Sequence, residues 1–243
     1  MGFYGFAPYV SVAEKRKNAE KTIKKLKKKN PDISPVIIEG RNLSNTWWGK
    51  AWNKNLESYA DYENRINRGR SYARHGAVVD IKISSGNISA LVIGSGSKPY
   101  EVNIKVDGLS KNTWNDISKK CIGKVHSMEE LLGGKFPKVL EELFTSKGKG
   151  LFPSPKEIKL NCDCPDWANM CKHVAAALYG VGARLDENPK LFFTLRDVNI
   201  DDIITEAINK ETETLLEKSK SKGRRVIDDS DVFDMFGIDV EQD

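Results

Sequence analysis

Apolar and polar residues alternate with a period of two in the region 77–106. The alternation is clear in the first and last segments of this region, while residues 87–93 are apolar on both faces. Short turns rich in glycine, serine and asparagine separate the three segments at 85–87 and 94–97. This pattern predicts a three-stranded antiparallel meander. The apolar face of its first strand is predicted to contain Ala77, Val79, Ile81 and Ile83.

Helical periodicity and capping signals surround the meander. A capping box at 11–14 predicts a helix that ends near Lys29, because Asn30 and Pro31 stop it. The later helices are predicted within 41–60, at 110–122, at 127–144 with an interruption at Pro137, at 171–184 and at 201–218.

Charge is concentrated at the two ends of the chain. Residues 14–29 carry nine basic and two acidic side chains, whereas residues 226–243 carry seven acidic and no basic ones. Because the formal net charge of the whole chain is only +5, the asymmetry indicates interaction tails rather than a uniformly basic protein. No apolar run approaches the length of about 18 residues that a membrane span needs. No secretory signal is visible either, so we expect a cytoplasmic location.

The segment C-x-C-x6-C-x-H brings together Cys162, Cys164, Cys171 and His173. Three thiols and one imidazole are a ligand set that closes a tetrahedral structural zinc site, with no position left for water. A disulfide within the cluster, or chance clustering of small buried cysteines, are the alternatives. We therefore predict one structural Zn²⁺. We also expect loss of Cys164 to unfold this module while the meander stays folded.

The ligand pattern resembles that of the SWIM zinc finger, and the four residues match its ligand positions one for one. Three upstream blocks are similar to those that precede the finger in prokaryotic SWIM proteins: 45–52 (NTWWGKAW), 68–74 (RGRSYAR) and 94–100 (GSGSKPY). The resemblance spans about residues 40–200. It implies binding of DNA or protein partners, association with SNF2-type helicases, and no defined catalytic activity.

The predicted fold class is α+β: an antiparallel sheet of three or more strands with packed helices, plus a small zinc module as an inserted or docked unit. The aromatic residues of the first block, Trp47, Trp48 and Trp52, are assigned to the core because aromatic stripes at helical spacing usually pack inward. The predicted organisation is a basic N-terminal helix at 1–30, an α+β body at 31–150, a SWIM-type zinc finger at 151–200, a helix and linker at 201–225, and an acidic-hydrophobic tail at 226–243.

Two basic surfaces are candidates for binding nucleic acid. The first is the lysine-rich helix, with Lys21, Lys24, Lys25 and Lys28; its alternative role is a solvated helix or one that pairs with acidic residues. The second combines arginine forks with an aromatic ring and contains Arg65, Arg68, Arg70, Arg74 and Tyr72. Its alternative is that the arginines pair with nearby carboxylates and the tyrosine belongs to the core.

The acidic tail is a candidate docking peptide because it alternates carboxylates with large apolar side chains beyond a polar linker. The predicted docking residues are Phe233, Met235, Phe236 and Ile238. The tail could instead fold back onto its own body, or onto the basic helix at 14–29.

Together these features predict a non-catalytic zinc-binding protein that binds nucleic acid without sequence preference, with no membrane association and no small-molecule substrate. The alternative is an adaptor that docks on an SNF2-type helicase through its zinc module or its tail. An enzyme is not expected, since the sequence shows no acid pair, triad or open metal site.

Overall fold

A computed structural model of the chain describes residues 11–58, 63–94, 98–125 and 127–220. The helices are α1 Val12–Lys27, α2 Trp47–Glu57, α3 Glu63–Arg74, α4 Lys111–Cys121, α5 Met128–Leu132, α6 Lys138–Thr145, α7 Lys172–Glu187, α8 Lys190–Leu195 and α9 Asp201–Lys220. The strands are β1 Val78–Ser84, β2 Asn87–Val92, β3 Tyr100–Val106 and β4 Ile158–Cys162. The α+β class is confirmed, and α3 and α8 are helices that the sequence pattern did not predict.

The four strands form one antiparallel sheet in the order β1-β2-β3-β4. The first three strands are the predicted meander. The fourth strand leads directly to the first cysteine of the C-x-C pair and pairs with β3, so that Cys162 lies opposite Val102 and Ile158 lies opposite Val106. The metal-binding segment is therefore continuous with the sheet.

A bulge in β1 changes which residues face the core. The pairing of β1 with β2 shifts between Val78 and Asp80, because an extra residue in one strand interrupts the alternation of its side chains. Val78, rather than Val79, shares the inner face with Ile81: both approach Gly180 of α7, where a Cβ added to the glycine would lie 3.5 and 3.3 Å from their side chains. The prediction that Val79 shares this face is wrong, whereas Ala77 belongs to the same buried core as Val78 and Ile81.

Helix α7 is the centre of the molecule. Twelve of its sixteen residues are buried, and it packs against α2, α3, α8 and all four strands. A helix that is apolar on most of its circumference is surrounded by protein. The zinc module is thus not a peripheral unit docked by one side, because its helix supplies the core on which the rest of the fold packs.

Small residues allow α2 and α3 to approach α7 closely. A side chain on Gly69 of α3 would overlap Ala175 of α7. A Cβ on Gly49 of α2 would lie 2.5 Å from the carbonyl oxygen of Gly182, and both arrangements are sterically impossible. The glycines of the first two upstream blocks are therefore explained by helix packing rather than by turns.

The predicted aromatic core is confirmed. Trp48 and Trp52 are 0% and 2% exposed. Their indole N–H groups donate to buried carbonyl oxygens, that of Trp48 to Leu131 (3.1 Å) and that of Trp52 to Leu178 of α7 (2.8 Å). Half-buried Trp47 packs edge-on against the Trp48 ring at a centroid distance of 4.7 Å. Burial with a satisfied N–H is what makes these large rings stabilising.

The outer edge of β1 is covered by the segment that follows α1. Val36 N–H donates to the carbonyl of Val78 (3.0 Å), and Ile81 N–H donates to that of Ser34 (3.1 Å). Arg184 of α7 holds the same segment through the carbonyl oxygens of Ser34 and Pro35. These contacts close one edge of the sheet against further strand pairing.

No helix in the described part of the chain is both long and apolar enough to cross a bilayer.

Candidate metal centre

The four predicted ligands converge at the junction of β4 and α7. Cys162 ends the strand, Cys164 lies in the turn that follows, Cys171 is the N-cap residue of α7, and His173 lies in its first turn. Their ligand atoms all lie within 4.8 Å of one another. The cysteines are free thiols rather than disulfides, so the geometry favours the metal interpretation over the two alternatives.

The distances fit a tetrahedral zinc ion. His173 Nδ1 lies 3.8 Å from Cys171 Sγ and 4.0 Å from Cys162 Sγ. A tetrahedron with Zn–S of about 2.3 Å and Zn–N of about 2.0 Å has S···N edges of about 3.5 Å, so a contraction of a few tenths of an ångström suffices. Because all four donors belong to the protein, the site fits one structural zinc ion.

Hydrogen bonds and burial within the cluster lower the pKa of one thiol and raise the pKa of the other two. The hydrogen bond from Cys162 lowers the pKa of Cys171 to about 3, with further hydrogen bonds from His173 and the Val174 N–H. The same Cys171 contact raises the pKa of Cys162, and burial raises that of Cys164. The cysteine whose pKa is lowered is thus the one at the N-terminus of α7, where negative charge is favoured.

The imidazole of His173 is oriented by aromatic rings. The Tyr100 ring lies 4.5 Å from it between centroids, and the Tyr72 ring packs edge-on at 5.7 Å. Nδ1 faces the thiols, while the buried Nε2 has no hydrogen-bond partner among the residues described. A histidine ligand normally has its second nitrogen fixed by a hydrogen bond, so packing performs the orienting role here.

Gly94 makes room for this arrangement. A Cβ at Gly94 would overlap the Tyr100 ring and lie 2.7 Å from His173 Nε2. The sequence predicted only a turn at this glycine, since nothing in the local pattern reveals a contact with a residue about eighty positions away. The second upstream block thus contributes Tyr72 to the wall of the metal site, and the third contributes Gly94 and Tyr100.

The first upstream block is attached to the opposite end of α7. The carboxylate of Asp186 accepts hydrogen bonds from Thr46 N–H (3.1 Å) and Thr46 Oγ1 (2.6 Å), and also from Asn45 N–H. It therefore lies at the N-terminus of α2, where a negative charge is stabilised by the helix dipole. The metal site and this cap hold the two ends of the same helix.

Comparison with known families agrees with the ligand set. Residues 146–181 match the family model of the SWIM zinc finger. This segment is a SWIM zinc finger. The match covers all four ligands of the centre and the first ten residues of α7.

The chain is also similar to the uncharacterized protein Rv2102 of Mycobacterium tuberculosis. The two are 34% identical over 163 residues, which is 67% of this chain and 58% of the relative. The chain thus spans little more than half the length of that relative. No solved structure is significantly similar to the chain.

The five residues predicted as a basic surface on α3 do not share one face. Helical residues succeed one another at about 100°, and Gly69 packs against α7 of the SWIM finger. With Gly69 facing α7, the five predicted residues fall on two opposite flanks of α3. Arg65, Arg68 and Tyr72 lie on the flank beside the metal ligands, and Arg70 and Arg74 lie on the other.

Two of the four arginines are held in ion pairs. Arg65 pairs with Asp166 in the loop between the finger's cysteines (2.9 Å). Arg70 pairs with Glu57 of α2, which also accepts a hydrogen bond from Tyr179 (2.7 Å). Burial raises the pKa of that tyrosine. Arg68 and Arg74 are exposed, and nucleic-acid binding by this set stays a prediction.

The four lysines predicted on α1 are all exposed. They lie opposite the narrow apolar stripe of the helix, in which only Ala19 is buried. The predicted docking residues Phe233, Met235, Phe236 and Ile238 lie outside the described part of the chain.

Proposed function

We propose that this chain is a zinc-stabilised, non-catalytic protein that binds nucleic acid without sequence preference in DNA-associated processes. The observation that carries the proposal is the lysine face of α1, formed by Lys21, Lys24, Lys25 and Lys28. The SWIM finger supports it, because the family resemblance implies binding of DNA or protein.

The lysine face is suited to a phosphate backbone. Its four side chains fall within one third of the helix circumference, since they are spaced by three and four residues. None of them forms an ion pair with a carboxylate in the described ranges. Lysine ammonium groups are point charges that attract phosphates but do not distinguish bases, which supports sequence-tolerant binding.

The non-catalytic part of the proposal follows from the closure of the metal site. When zinc is bound, its four positions are filled by protein side chains, so the ion braces the fold instead of activating water. The same reduced thiols support a cytoplasmic location, since oxidising compartments favour disulfides.

The test is the salt dependence of binding to a DNA duplex and to a single strand of the same sequence, measured by fluorescence anisotropy. If about five phosphates are neutralised, log K falls with log salt with a slope of about −4.5 for the duplex and about −3.5 for the single strand. Changing the four α1 lysines to glutamine should make the slope shallower by about 0.9 for each lost duplex contact.

A matched control changes four other exposed lysines to glutamine: Lys111, Lys119 and Lys120 of α4 and the nearby Lys124. It removes the same charge from the molecule and should leave the slope unchanged. An equal effect of both variants would mean that net charge alone drives binding, and no binding by the parent protein would overturn the proposal.

A second candidate function is an adaptor for a protein partner, for which the family resemblance suggests an SNF2-type helicase. The observation that favours it is α9, where Ile208 and Leu215 are 58% and 61% exposed. They are seven residues apart and therefore share a helix face, as in helices that pack on a partner. Proteins that co-purify after nuclease treatment, and that Ile208→Ser with Leu215→Ser releases, would support the adaptor.

A further inference from the structure

We infer that Trp167 is a stacking platform for an unpaired base, so that the SWIM finger binds single-stranded nucleic acid at the loop between Cys164 and Cys171. This inference rests on the proposed function and names its substrate class. It also assigns a contact role to the finger itself, beyond bracing the fold.

Trp167 is exposed in a way that no other tryptophan of the chain is. Its residue surface is 93% exposed, whereas Trp48, Trp52 and Trp114 are 0%, 2% and 6% exposed and Trp47 is half-buried. All five tryptophans of the chain are thereby accounted for. A large aromatic ring with this exposure gains little from burial in this fold, and its face is free to stack on a ligand.

The loop that carries Trp167 is fixed on both sides. Cys164 and Cys171 anchor its ends at the metal centre. Between them, Asp166 accepts a hydrogen bond from Ala168 N–H (3.2 Å) and pairs with Arg65 of α3 (2.9 Å). A ring presented by a braced loop loses little conformational entropy on binding, which is the property of an effective recognition site.

Basic side chains lie on α3 and at the start of α7, the two elements that hold the loop of Trp167. Arg65 is neutralised by Asp166, but Arg68 lies on the same flank of α3 and is exposed. Lys172, which stands between two metal ligands, lies with Nζ 5.7 Å from the centre of the Tyr72 ring on that flank. Single strands are bound by exposed aromatic rings, on which bases stack, together with cations that neutralise the phosphates.

The arrangement favours a single strand over a duplex. Bases in a duplex are covered on both faces by their neighbours, so stacking on Trp167 would first require unstacking, at a cost. Helix α3 is about 18 Å long, and at the end away from Arg65 the side chain of Arg16 in α1 donates to the carbonyl oxygen of Arg74 (3.3 Å). Helix α1 therefore contacts the end of α3 that is distant from the finger loop.

The experiment uses the zinc-loaded full chain with single-stranded oligothymidine, oligouridine and a DNA duplex of equal length. Tryptophan emission is measured during titration, together with its quenching by acrylamide. We expect the single strands to quench the emission and to protect it from acrylamide, because Trp167 dominates the accessible signal. An oligodeoxyuridine of the same length, which differs from oligouridine only in the sugar, distinguishes DNA from RNA as the source of the base.

Affinity measurements on variants complete the test. Trp167→Ala should weaken binding of the single strand about 10-fold, within the range for loss of one stacked base. Trp167→Phe should retain most of the affinity, because it keeps a ring. Val139→Ala on α6, at an apolar residue that is 58% exposed, should change nothing. Zinc content confirms that each variant is folded.

The outcomes separate this inference from the proposed function. Single-strand binding that is unchanged in Trp167→Ala, with no protection from acrylamide, overturns the inference and leaves the lysine-face proposal standing. Absence of any nucleic-acid binding overturns both. If Trp167→Ala instead releases a co-purified protein and leaves oligonucleotide affinity unchanged, the ring is a protein-docking residue and the inference is wrong.

Discussion

His173 shows how a metal ligand can be positioned without a hydrogen-bonded second nitrogen. Its ring is enclosed by Tyr72 and Tyr100, and Gly94 leaves the space that this packing needs. The ligands themselves could be predicted, because their spacing along the chain is a local pattern. Gly94 and Tyr100 could not, because their contacts with His173 join residues that are distant in sequence.

Gly94→Ala is therefore expected to weaken zinc binding. The added methyl must displace either the Tyr100 ring or the His173 imidazole, and changes beside a metal ligand typically cost about 10–100-fold in metal affinity. Competition with a chelator measures the effect. Gly148→Ala is the control: its methyl meets nothing within 4 Å, although its positive φ of 72° adds backbone strain. Equal zinc affinities in the two variants would contradict the packing argument.

Zinc affinity should also fall as pH is lowered. The raised pKa values of Cys162 and Cys164 keep both thiols protonated in the metal-free site, while the pKa of Cys171 is lowered to about 3. Binding must then release at least two protons near neutral pH, so the apparent affinity should drop about 100-fold per pH unit. Chelator competition across neutral pH gives the slope, and a pH-independent affinity would be the contrary result.

At the scale of elements, the sequence predicts individual helices and strands from local patterns, but it does not predict that they pack together on α7. The meander was predictable because its period-2 alternation is local, and the aromatic helix because Trp48 and Trp52 share a face. The bulge between Val78 and Asp80 has no such signal. Helix α3 was missed because its sequence is mostly polar and contains Gly69, which is justified only by its contact with Ala175.

Asp186→Ala tests the attachment of α2 to the end of α7. Loss of the carboxylate leaves Asn45 and Thr46 N–H groups without their acceptor, and removal of a helix-capping group costs about 1–2 kcal/mol. Urea unfolding measures the change in the free energy of unfolding. Glu187→Ala removes a neighbouring carboxylate that is 57% exposed and pairs with Arg184, and should cost less than about 1 kcal/mol. A smaller loss for Asp186→Ala than for this control would contradict the capping role.

For the whole molecule, the central position of α7 means that loss of zinc should affect the stability of the entire core and not of the finger alone. The sequence alone suggested that the meander would survive without the finger. In the structure, the helix that carries Cys171 and His173 covers the inner face of the sheet, and its Leu178 carbonyl accepts the Trp52 N–H (2.8 Å). Metal binding and folding of the core are therefore coupled.

Cys164→Ala is accordingly expected to destabilise the entire fold rather than the finger alone. Thermal unfolding should begin at a lower temperature for the sheet and for the buried tryptophans together, as followed by circular dichroism and fluorescence. Cys121→Ala is the control, because it empties a buried position on α4 without touching the metal. The Cys121→Ala variant should be less stable than the parent protein and should still bind one zinc ion. If the sheet unfolds at the same temperature in Cys164→Ala as in the parent protein, the finger is an independent module and the prediction is wrong.

The order of the elements along the chain determines when α7 becomes available during synthesis. Strands β1 to β3 and helices α2 and α3 are all made before the helix that covers them, which begins only at Lys172. A nascent chain ending earlier leaves Trp52, Ile88 and Ile104 without their packing partner. The strands and helices that α7 covers are therefore synthesised before α7 itself, and the set of zinc ligands is completed by Cys171 and His173, where that helix begins.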